Sequence, residues 1–298
     1  MGRVKLSERI GEGQFFLDGA MGTQLFARGV EVGRCNDYLN IESPDVVSEI
    51  HTSYLEAGSD AVITNTFGAN KYALSRHGQA DKVAEINLAG ARVGRTAAGN
   101  DKYVLGDIGP CGAFLEPLGN VKPDELKEAF AHQAGALADG GADGFIIETM
   151  TAIEEITIAI EALKSVSDLP IFASLAYDPA GEGFKTMMGI SPGTAIEKLV
   201  PLGIAAIGFN CGTLDMAGYV KLARAYADAI GVGPIVLLAE PNAGRPELVD
   251  GGAVYNLSPQ DFAAACGKIC SAGVKIIGGC CGTSPDHIKA MVQRLENE

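Results

Sequence analysis

The sequence of 298 residues has no tryptophan, and only 6% of its residues are aromatic. It also has no run of 18 apolar residues, so no segment is predicted to span a membrane. The N-terminus lacks the apolar core of a secretory signal, and we therefore expect a cytoplasmic protein. Basic residues are few, since 23 Lys and Arg against 37 Asp and Glu give a net charge of −14. Such a surface repels nucleic acid and anionic membranes, so neither is an expected partner.

The sequence is instead rich in glycine, with 39 residues, and 47% of its residues are hydrophobic. Eight short and mostly continuous apolar runs recur along the chain, which is typical of parallel strands buried on both faces. Helical patterns lie between them, and several begin with Ser-Pro or Lys-Pro, as first helical turns often do. The runs are centred near Leu17, Ile63, Leu105, Ile146, Phe172, Ile207, Val236 and Ile277.

Eight strands alternating with helices predict an α/β protein, a (β/α)8 TIM barrel, which we expect to form a single domain over residues 1–298. The alternative is a doubly wound open sheet. Such a sheet usually carries a G-x-G-x-x-G turn after its first strand, and the segment "DGAMGT" does not match that pattern. No linker or repeat divides the chain, and residues 245–259 are predicted to form a long loop after strand seven.

Three of the seven cysteines fall at predicted strand ends. Cys211 follows strand six, and Cys280 and Cys281 follow strand eight in the segment "IIGGCCGT". Because the carboxyl ends of barrel strands meet at one rim, these thiols are expected to converge. Three thiolates make a good Zn²⁺ site with an open fourth position. Such a site lowers the pKa of a bound substrate thiol but leaves it nucleophilic, which favours attack on an alkyl carbon over activation of water.

Other interpretations of the cysteines remain open at this point. Cys280 and Cys281 could be two small buried side chains, although the third thiol on a nearby strand end argues against this. A closed structural zinc site would need a fourth ligand. No histidine lies near one of these strand ends in the sequence, and the four histidines are expected in or beside helices as surface or packing residues: His51, His77, His132 and His287. Cys266 and Cys270, spaced i, i+4 on a helix, are interpreted as packing residues, and the glycines beside the cysteine pair are expected to give it room around one ion.

Five strings occur in order along the chain: "DGAMGTQL", "TNTFGAN", "GFNCG", "EPNAG" and "GGCCGT". From about residue 14 onward they resemble the homocysteine S-methyltransferase family, and most of all the homocysteine domain of cobalamin-dependent methionine synthase. The resemblance implies a (β/α)8 barrel that methylates the sulfur of homocysteine to give methionine. It implies that Cys211, Cys280 and Cys281 hold zinc, and that Asn242 occupies the open zinc position before substrate binds.

The resemblance also implies contacts with the substrate. Glu148 would bind the homocysteine ammonium, with Asp18 as a weaker candidate, and Thr66 would line the pocket. The homocysteine carboxylate would be held by the backbone amides around Asp18, Gly19 and Ala20.

The motifs leave the methyl donor open. The sequence has no D-x-H-x-x-G cobalamin motif and no second, folate-binding barrel, so we expect a methyl-corrinoid presented by a separate protein. A small donor such as S-methylmethionine or betaine would need an aromatic cage for its cation. The candidates for such a cage are Phe67, Phe114, Tyr177 and Tyr255. Two alternative functions are a methyltransferase with another thiol acceptor and a zinc protein that binds thiols without turnover.

Overall fold

The computed structural model describes residues 3–249 and 252–297 and contains a barrel of eight parallel strands. The strands are β1 Phe15–Phe16, β2 Ala61–Ile63, β3 Tyr103–Ile108, β4 Gly144–Met150, β5 Ile171–Leu175, β6 Ala206–Asn210, β7 Val236–Glu240 and β8 Ile276–Ile277. Their hydrogen-bonded order is β1-β8-β7-β6-β5-β4-β3-β2. This order confirms the predicted (β/α)8 barrel and excludes the doubly wound sheet.

The seam between β1 and β2 is closed partly by a side chain. The N–H of Asp60 donates to the carbonyl of Phe16 at 2.7 Å. One residue beyond β1, Leu17 accepts from the hydroxyl of Ser59. The N–H of Ile63 donates to the carboxylate of Asp18 at 3.0 Å. The carboxylate of Asp18, one of the residues predicted to contact substrate, thus takes the place of a backbone carbonyl between β1 and β2.

One helix follows each strand, and five of these helices begin with proline in the first turn, as the Ser-Pro and Lys-Pro pairs predict. The helices are α1 Pro44–Glu56, α2 Val83–Ala98, α3 Pro123–Asp139, α4 Ile153–Val166, α5 Pro192–Leu199, α6 Met216–Ile230, α7 Pro259–Cys270 and α8 Pro285–Glu296. Short additional helices are Leu6–Arg9, Met21–Ala27, Leu39–Glu42 and Lys71–Ser75. Short 3₁₀ turns are Asn36–Tyr38, Ala80–Lys82 and Val200–Leu202.

Helix α2 has no counterpart among the helices predicted from sequence. Its sequence carries Gly90 and Gly94 in the interior, and glycine weakens a helical pattern. Both glycines lie in close packing, and a Cβ on Gly90 would lie 2.6 Å from the methyl carbon of Thr66, which is closer than real Cβ contacts. A Cβ on Gly94 would lie 3.2 Å from a methyl carbon of Val104. The residues that obscure the helix in the sequence are those that let it approach the barrel.

The carboxyl ends of the strands carry two hairpins. Residues 245–259, predicted as a plain loop, contain the antiparallel strands Glu247–Val249 and Gly252–Val254. A second hairpin after β5 pairs Asp178–Ala180 with Gly183–Lys185. Both hairpins extend the loops that surround the carboxyl ends of the barrel.

The hydrophobic core has an inner and an outer layer. The inner layer fills the barrel and includes Leu6 and Ile10, so the N-terminal helix covers the amino ends of the strands. The outer layer packs the helices against the strands and contains Cys266, with Cys270 packed beside it, which confirms their interpretation as packing residues. No helix in the described residues is both long and apolar enough to cross a membrane.

Candidate metal centre and substrate site

The three predicted cysteines lie together at the carboxyl ends of β6 and β8. Cys211 directly follows β6, and Cys280 and Cys281 follow β8 after two glycines. Their Sγ atoms all lie within 4.8 Å of one another, and those of Cys211 and Cys281 are 3.9 Å apart. Two thiolates on one tetrahedral Zn²⁺ ion are about 3.8 Å apart, given a Zn–S distance of about 2.3 Å. The cluster therefore has the spacing of a three-thiolate metal site.

Backbone hydrogen bonds fix the cysteine pair against the end of β7. The N–H of Cys280 donates to the carbonyl of Pro241 at 2.9 Å. The carbonyl of Cys281 accepts from the N–H of Ala243 at the same distance, 2.9 Å. Because both neighbours belong to the "EPNAG" string, this string and "GGCCGT" form one rigid unit at the rim.

The glycines beside the cysteines serve close packing with neighbouring strands. Gly212 has φ of 80°, and a Cβ there would lie 2.1 Å from the carbonyl oxygen of Tyr177. A Cβ on Gly278 would lie 2.7 Å from the Cβ of Leu17. These contacts explain the glycines better than the expected need for space around an ion, because the turns must pass directly over β5 and β1.

The three thiols share their protons. Hydrogen bonds from Cys211 and then Cys280 lower the pKa of Cys281 well below its usual range. The hydrogen bonds of Cys280 to Cys211 and Cys281, together with burial, raise the pKa of Cys280. These hydrogen bonds thus favour ionisation of Cys281 over that of Cys280. A divalent cation that binds all three sulfurs as thiolates would displace the protons that remain.

Asn242 lies beside the cluster and is fully buried. Its Nδ2 donates to the carbonyl of Gly212 at 3.0 Å, and its backbone N–H donates to the hydroxyl of Tyr219. Its Oδ1 is buried without a hydrogen-bond partner in the part of the chain that the structure describes. A buried amide oxygen without a partner is a suitable additional ligand for a metal held by the cysteines.

Four carboxylates gather below the rim, each in the last residues of a strand or just beyond it: Asp18, Asp107, Glu148 and Glu240. Glu148 is half-buried and the other three are buried. Burial raises the pKa of all four, and for Asp18, Asp107 and Glu240 the charge of neighbouring carboxylates adds to the shift. For Glu148, burial raises the pKa to about 7; a hydrogen bond with Asp107 lowers the pKa and the charge of Cys281 raises it. Lys and Arg form no ion pair with any of the four within residues 3–249 and 252–297. The arrangement is thus a buried acidic pocket that lacks a cation.

Asn210 connects this pocket to the cysteines. Its Nδ2 donates to Oε2 of Glu148 at 2.5 Å and to the hydroxyl of Thr149 at 2.7 Å. Its Oδ1 accepts from the N–H of Thr149 and from the hydroxyl of Ser174. Thr149 has a positive φ of 59°, and Cys211, which follows Asn210 in the sequence, has a positive φ of 53°. L-residues rarely adopt such values. Such strain persists where surrounding contacts fix it, and here Asn210 supplies those contacts.

Asp18 has a histidine neighbour that the sequence did not predict. His51 lies inside α1 as a buried packing residue, as expected, and its Nδ1 lies 4.0 Å from Oδ2 of Asp18. The sequence did not show that this packing position is beside Asp18. The imidazole is fully buried, and burial lowers its pKa to about 4, so it is neutral. His51 therefore does not neutralise Asp18.

The backbone of Gly19 and Ala20 lies against the segment after the cysteine pair. The N–H of Ala20 donates to the hydroxyl of Thr283 at 3.0 Å, and its carbonyl accepts from the hydroxyl of Tyr54. A Cβ on Gly19 would lie 2.7 Å from the same Thr283 hydroxyl. A carboxylate bound to the Ala20 amide would therefore have to displace Thr283.

Thr66 is buried beneath the acidic pocket, and its hydroxyl is already bonded. It donates to the carbonyl of Asp107 at 2.9 Å and lies 2.6 Å from the hydroxyl of Thr64. Its methyl group faces Gly90 of α2. The structure thus gives Thr66 a framework role, and contact with a substrate stays a prediction.

Sequence reasoning missed two tyrosines beside the metal-ligand candidates. The hydroxyl of Tyr219 donates to the carbonyl of Cys211 at 2.6 Å. Tyr255 forms a side-chain hydrogen bond with Cys281 that lowers the pKa of that thiol. Tyr255 was named only as a possible cage residue, and Tyr219 lies within α6, where no motif distinguishes it from a packing residue. Asn210 belongs to the string "GFNCG", but the sequence does not show which residues it hydrogen-bonds.

Comparison with known proteins agrees with this site. A family model described as Homocysteine S-methyltransferase matches residues 15–295. Methionine synthase from Mycobacterium tuberculosis is 34% identical to this chain, over 98% of the chain and 25% of that protein. Methionine synthase from Mycobacterium leprae is 35% identical, over 91% of the chain and 23% of that protein. The chain thus spans about a quarter of the length of these curated relatives.

A solved structure shares the same barrel. The homocysteine methyltransferase MmuM from Escherichia coli, in its metallated form, has a TM-score of 0.77 at 22% identity, over 97% of this chain and 99% of that one. At this identity the likeness shows the fold. The family model covers almost the whole described barrel, including all three clustered cysteines, and the two methionine synthases match 98% and 91% of the chain. On these matches, the chain belongs to the homocysteine S-methyltransferase family.

Proposed function

We propose that this protein is a zinc-dependent enzyme that transfers a methyl group to the sulfur of homocysteine to give methionine. The observation that carries the proposal is the position of the Cys211–Cys280–Cys281 cluster beside an acidic pocket without a cation. The cluster suits a thiol and the pocket suits an ammonium group. Homocysteine carries both groups, whereas a simple thiol carries only the first.

The residues of the chain would act by binding and orienting the substrate. Bound Zn²⁺ would lower the pKa of the substrate thiol, so that a thiolate is available near neutral pH. Glu148 would accept the ammonium, and Asn210 would hold the Glu148 carboxylate in place through its 2.5 Å hydrogen bond. Asn242 would give up its position at the cysteines when substrate arrives. The charge of Glu148 and the positions of the three cysteines would together place the homocysteine sulfur at the carboxyl ends of the strands.

We further propose that the methyl donor is a methyl-corrinoid carried by a separate protein, in the cytoplasm. Direct displacement at the methyl carbon needs the donor in line with the sulfur, which the open carboxyl face of the barrel permits. Of the four candidate residues for a cation cage, Tyr255 contacts Cys281 and the other three are dispersed. Tyr177 is buried in the core and bonded to Tyr226, whereas Phe67 and Phe114 are 42% and 56% exposed. A closed aromatic pocket for a sulfonium or betaine is not supported by these positions.

A donor screen tests this function directly. Zinc-loaded protein and homocysteine would be combined with methylcobalamin, a methylated corrinoid protein, S-methylmethionine or betaine, and methionine would be measured. We expect the corrinoid donors to give the highest rates. Faster transfer from S-methylmethionine or betaine would reject the corrinoid as methyl donor but would still support homocysteine as the acceptor. Homocysteine binding without methionine from any donor would instead support a thiol-binding protein, and a faster reaction with another thiol would reject the acceptor.

A further inference from the structure

Asp107 lies inside the barrel beside the carboxyl group of Glu148. Alternate residues of a strand face the same side of the sheet, and Leu105 belongs to the inner core layer, so Asp107, two residues further along β3, also faces the interior. In the pairing of β3 with β4, Asp107 lies opposite Ile146, another inner-layer residue. Glu148 lies two residues beyond Ile146, and its side chain is hydrogen-bonded to that of Asp107.

The hydrogen bond between these two carboxyl groups requires a shared proton. An ionised carboxylate can only accept hydrogen bonds, whereas a neutral carboxyl has an O–H group that donates. Burial and the charge of Glu148 raise the pKa of Asp107 well above its usual range. The pair therefore holds one proton near neutral pH, as adjacent carboxyl groups do when both cannot ionise.

The neighbouring hydrogen-bond donors assign this proton to Asp107. Oε2 of Glu148 accepts from Nδ2 of Asn210 at 2.5 Å and from the hydroxyl of Thr149 at 3.4 Å, and both bonds stabilise the ionised form. Oδ1 of Asp107 is buried and receives no hydrogen bond from an N–H or hydroxyl group of the described residues. Glu148 is thus the better carboxylate, and Asp107 is the better acid.

The other elements packed around Asp107 give its carboxyl group no compensating charge. The hydroxyl of Thr64, just after β2, accepts from the backbone N–H of Asp107, and Nε2 of Gln133 in α3 donates to its backbone carbonyl. Both groups are neutral and bond only the backbone. The charged groups that act most strongly on Asp107 are all carboxylates, from β4, β7 and a 3₁₀ turn: Glu148, Glu240 and Asp37.

We propose that Asp107 is a positioning residue for the substrate ammonium: as a neutral acid it donates a hydrogen bond to Glu148, and so keeps Glu148 ionised and oriented. One ammonium then meets one carboxylate of the pair. An ionised Asp107 would instead be a second anionic ligand of the same ammonium. The inference rests on the proposed function, because it assigns Asp107 a role toward homocysteine.

Two substitutions of similar size separate these roles. Asp107→Asn keeps an N–H donor beside Glu148 but cannot ionise, whereas Asp107→Leu has neither a donor nor a charge. Glu155→Gln is the control, because Glu155 is buried away from this pocket and accepts from the N–H of Cys111. For each zinc-loaded protein, calorimetry from about pH 6 to about pH 8.5 would compare homocysteine with 4-mercaptobutanoate, which lacks only the amino group. Metal content and thermal melting would confirm an intact site and barrel.

The preference for homocysteine, the ratio of the two affinities, should depend on the donor at position 107. Burial raises the pKa of Glu148 to about 7, and loss of the hydrogen bond in Asp107→Leu should raise it further. A further rise of about one unit leaves less Glu148 ionised, so the preference should fall about fivefold at pH 7 and return to within about twofold of wild type near pH 8.5. Asp107→Asn and Glu155→Gln should stay within about twofold of wild type throughout.

Two results of this titration would overturn the proposal. Equal losses in Asp107→Asn and Asp107→Leu at every pH would make Asp107 an anionic ligand of the ammonium. A folded Asp107→Leu protein with the wild-type preference at every pH would leave Asp107 without a role in binding.

Infrared difference spectroscopy detects the proton directly and does not depend on the folding of Asp107→Leu. At about pH 8, the spectrum of the wild type minus that of Asp107→Asn should contain the carbonyl stretch of a protonated carboxyl group. The bands of an ionised carboxylate in its place would contradict the assignment of the proton to Asp107.

The wild-type protein separates this proposal from the proposed function. Equal affinities of the wild type for the two thiols would reject homocysteine as the preferred acceptor, and the role of Asp107 with it. A clear wild-type preference for homocysteine that Asp107→Asn abolishes would reject only the role of Asp107 and keep the proposed acceptor.

Discussion

Replacing Glu148 with glutamine removes the charge that is proposed to bind the substrate ammonium and little else. Oε2 of Glu148 accepts from Nδ2 of Asn210 at 2.5 Å and from the hydroxyl of Thr149 at 3.4 Å. Glutamine has the same size, and its carbonyl oxygen accepts both hydrogen bonds. The Glu148→Gln protein should therefore fold and bind metal like the wild type.

The loss of homocysteine affinity follows from the burial of the pair. Truncating one partner of a buried, hydrogen-bonded charge pair costs about 2–5 kcal/mol. Asp107 and Glu240 remain in the same pocket and interact with Glu148, so the lower part of this range applies. A loss of about 2–3 kcal/mol corresponds to about 30- to 150-fold weaker binding.

Calorimetric titration with two thiols measures this effect. Homocysteine should lose about 30- to 150-fold in affinity, whereas 4-mercaptobutanoate, which lacks only the amino group, should bind equally well or better. Glu155→Gln is the matched control, because Glu155 is a buried carboxylate that accepts from the N–H of Cys111 at 2.7 Å, away from the acidic pocket. Equal losses for the two thiols, or no loss for homocysteine, would refute the assignment of Glu148.

The same assignment predicts a pH dependence. Burial raises the pKa of Glu148 to about 7, so in the free protein this side chain becomes protonated and neutral below about pH 7. A neutral carboxyl cannot pair with an ammonium, and homocysteine affinity should fall as the pH decreases from 7.5 to 5.5, by at most about tenfold per unit. Ionisation of the thiol has a similar trend for both ligands, so the ratio of the homocysteine and 4-mercaptobutanoate affinities isolates Glu148. That ratio should be flat in Glu148→Gln.

Three further substitutions have defined outcomes. Cys281→Ala should lose most of the single zinc ion and all activity while remaining folded, whereas Cys266→Ala should retain zinc; full metal occupancy in Cys281→Ala would reject the ligand set. Asn210→Ala removes the side chain that hydrogen-bonds to Glu148, Thr149, Ser174 and the Sγ of Cys280, so the free energy of unfolding in urea should fall by about 2–4 kcal/mol and homocysteine affinity should fall with it. Gly212→Ala places a Cβ 2.1 Å from a carbonyl oxygen and should unfold at a much lower temperature than Gly181→Ala, which has a positive φ but open space; similar melting temperatures would contradict the packing described here.

The architecture could be predicted from sequence because each buried parallel strand corresponds to a short run of apolar residues. Helix α2 could not be predicted, because its interior glycines, Gly90 and Gly94, are explained by packing against residues distant in sequence. The convergence of the three thiols could also be predicted, because strand order alone brings their positions to one rim. The environment of the carboxylates could not, because the shifted pKa of Glu148 depends on burial and on the absence of a nearby cation. The proximity of His51 to Asp18 depends on how α1 packs on the barrel, which the sequence pattern leaves undetermined.

The seam between β1 and β2 would couple the proposed substrate binding to a hydrogen bond of the barrel wall. The Asp18 carboxylate accepts from the Ile63 amide where another strand pair would use a carbonyl, and the same carboxylate borders the acidic pocket. A ligand that draws Asp18 toward itself lengthens that bond, and a ligand that leaves Asp18 in place preserves it. Amide hydrogen exchange at Ile63 should therefore report on ligand binding in the acidic pocket, although Ile63 itself lies in the barrel wall. By reciprocity, a substitution that weakens this part of the wall should change ligand affinity without contacting the ligand.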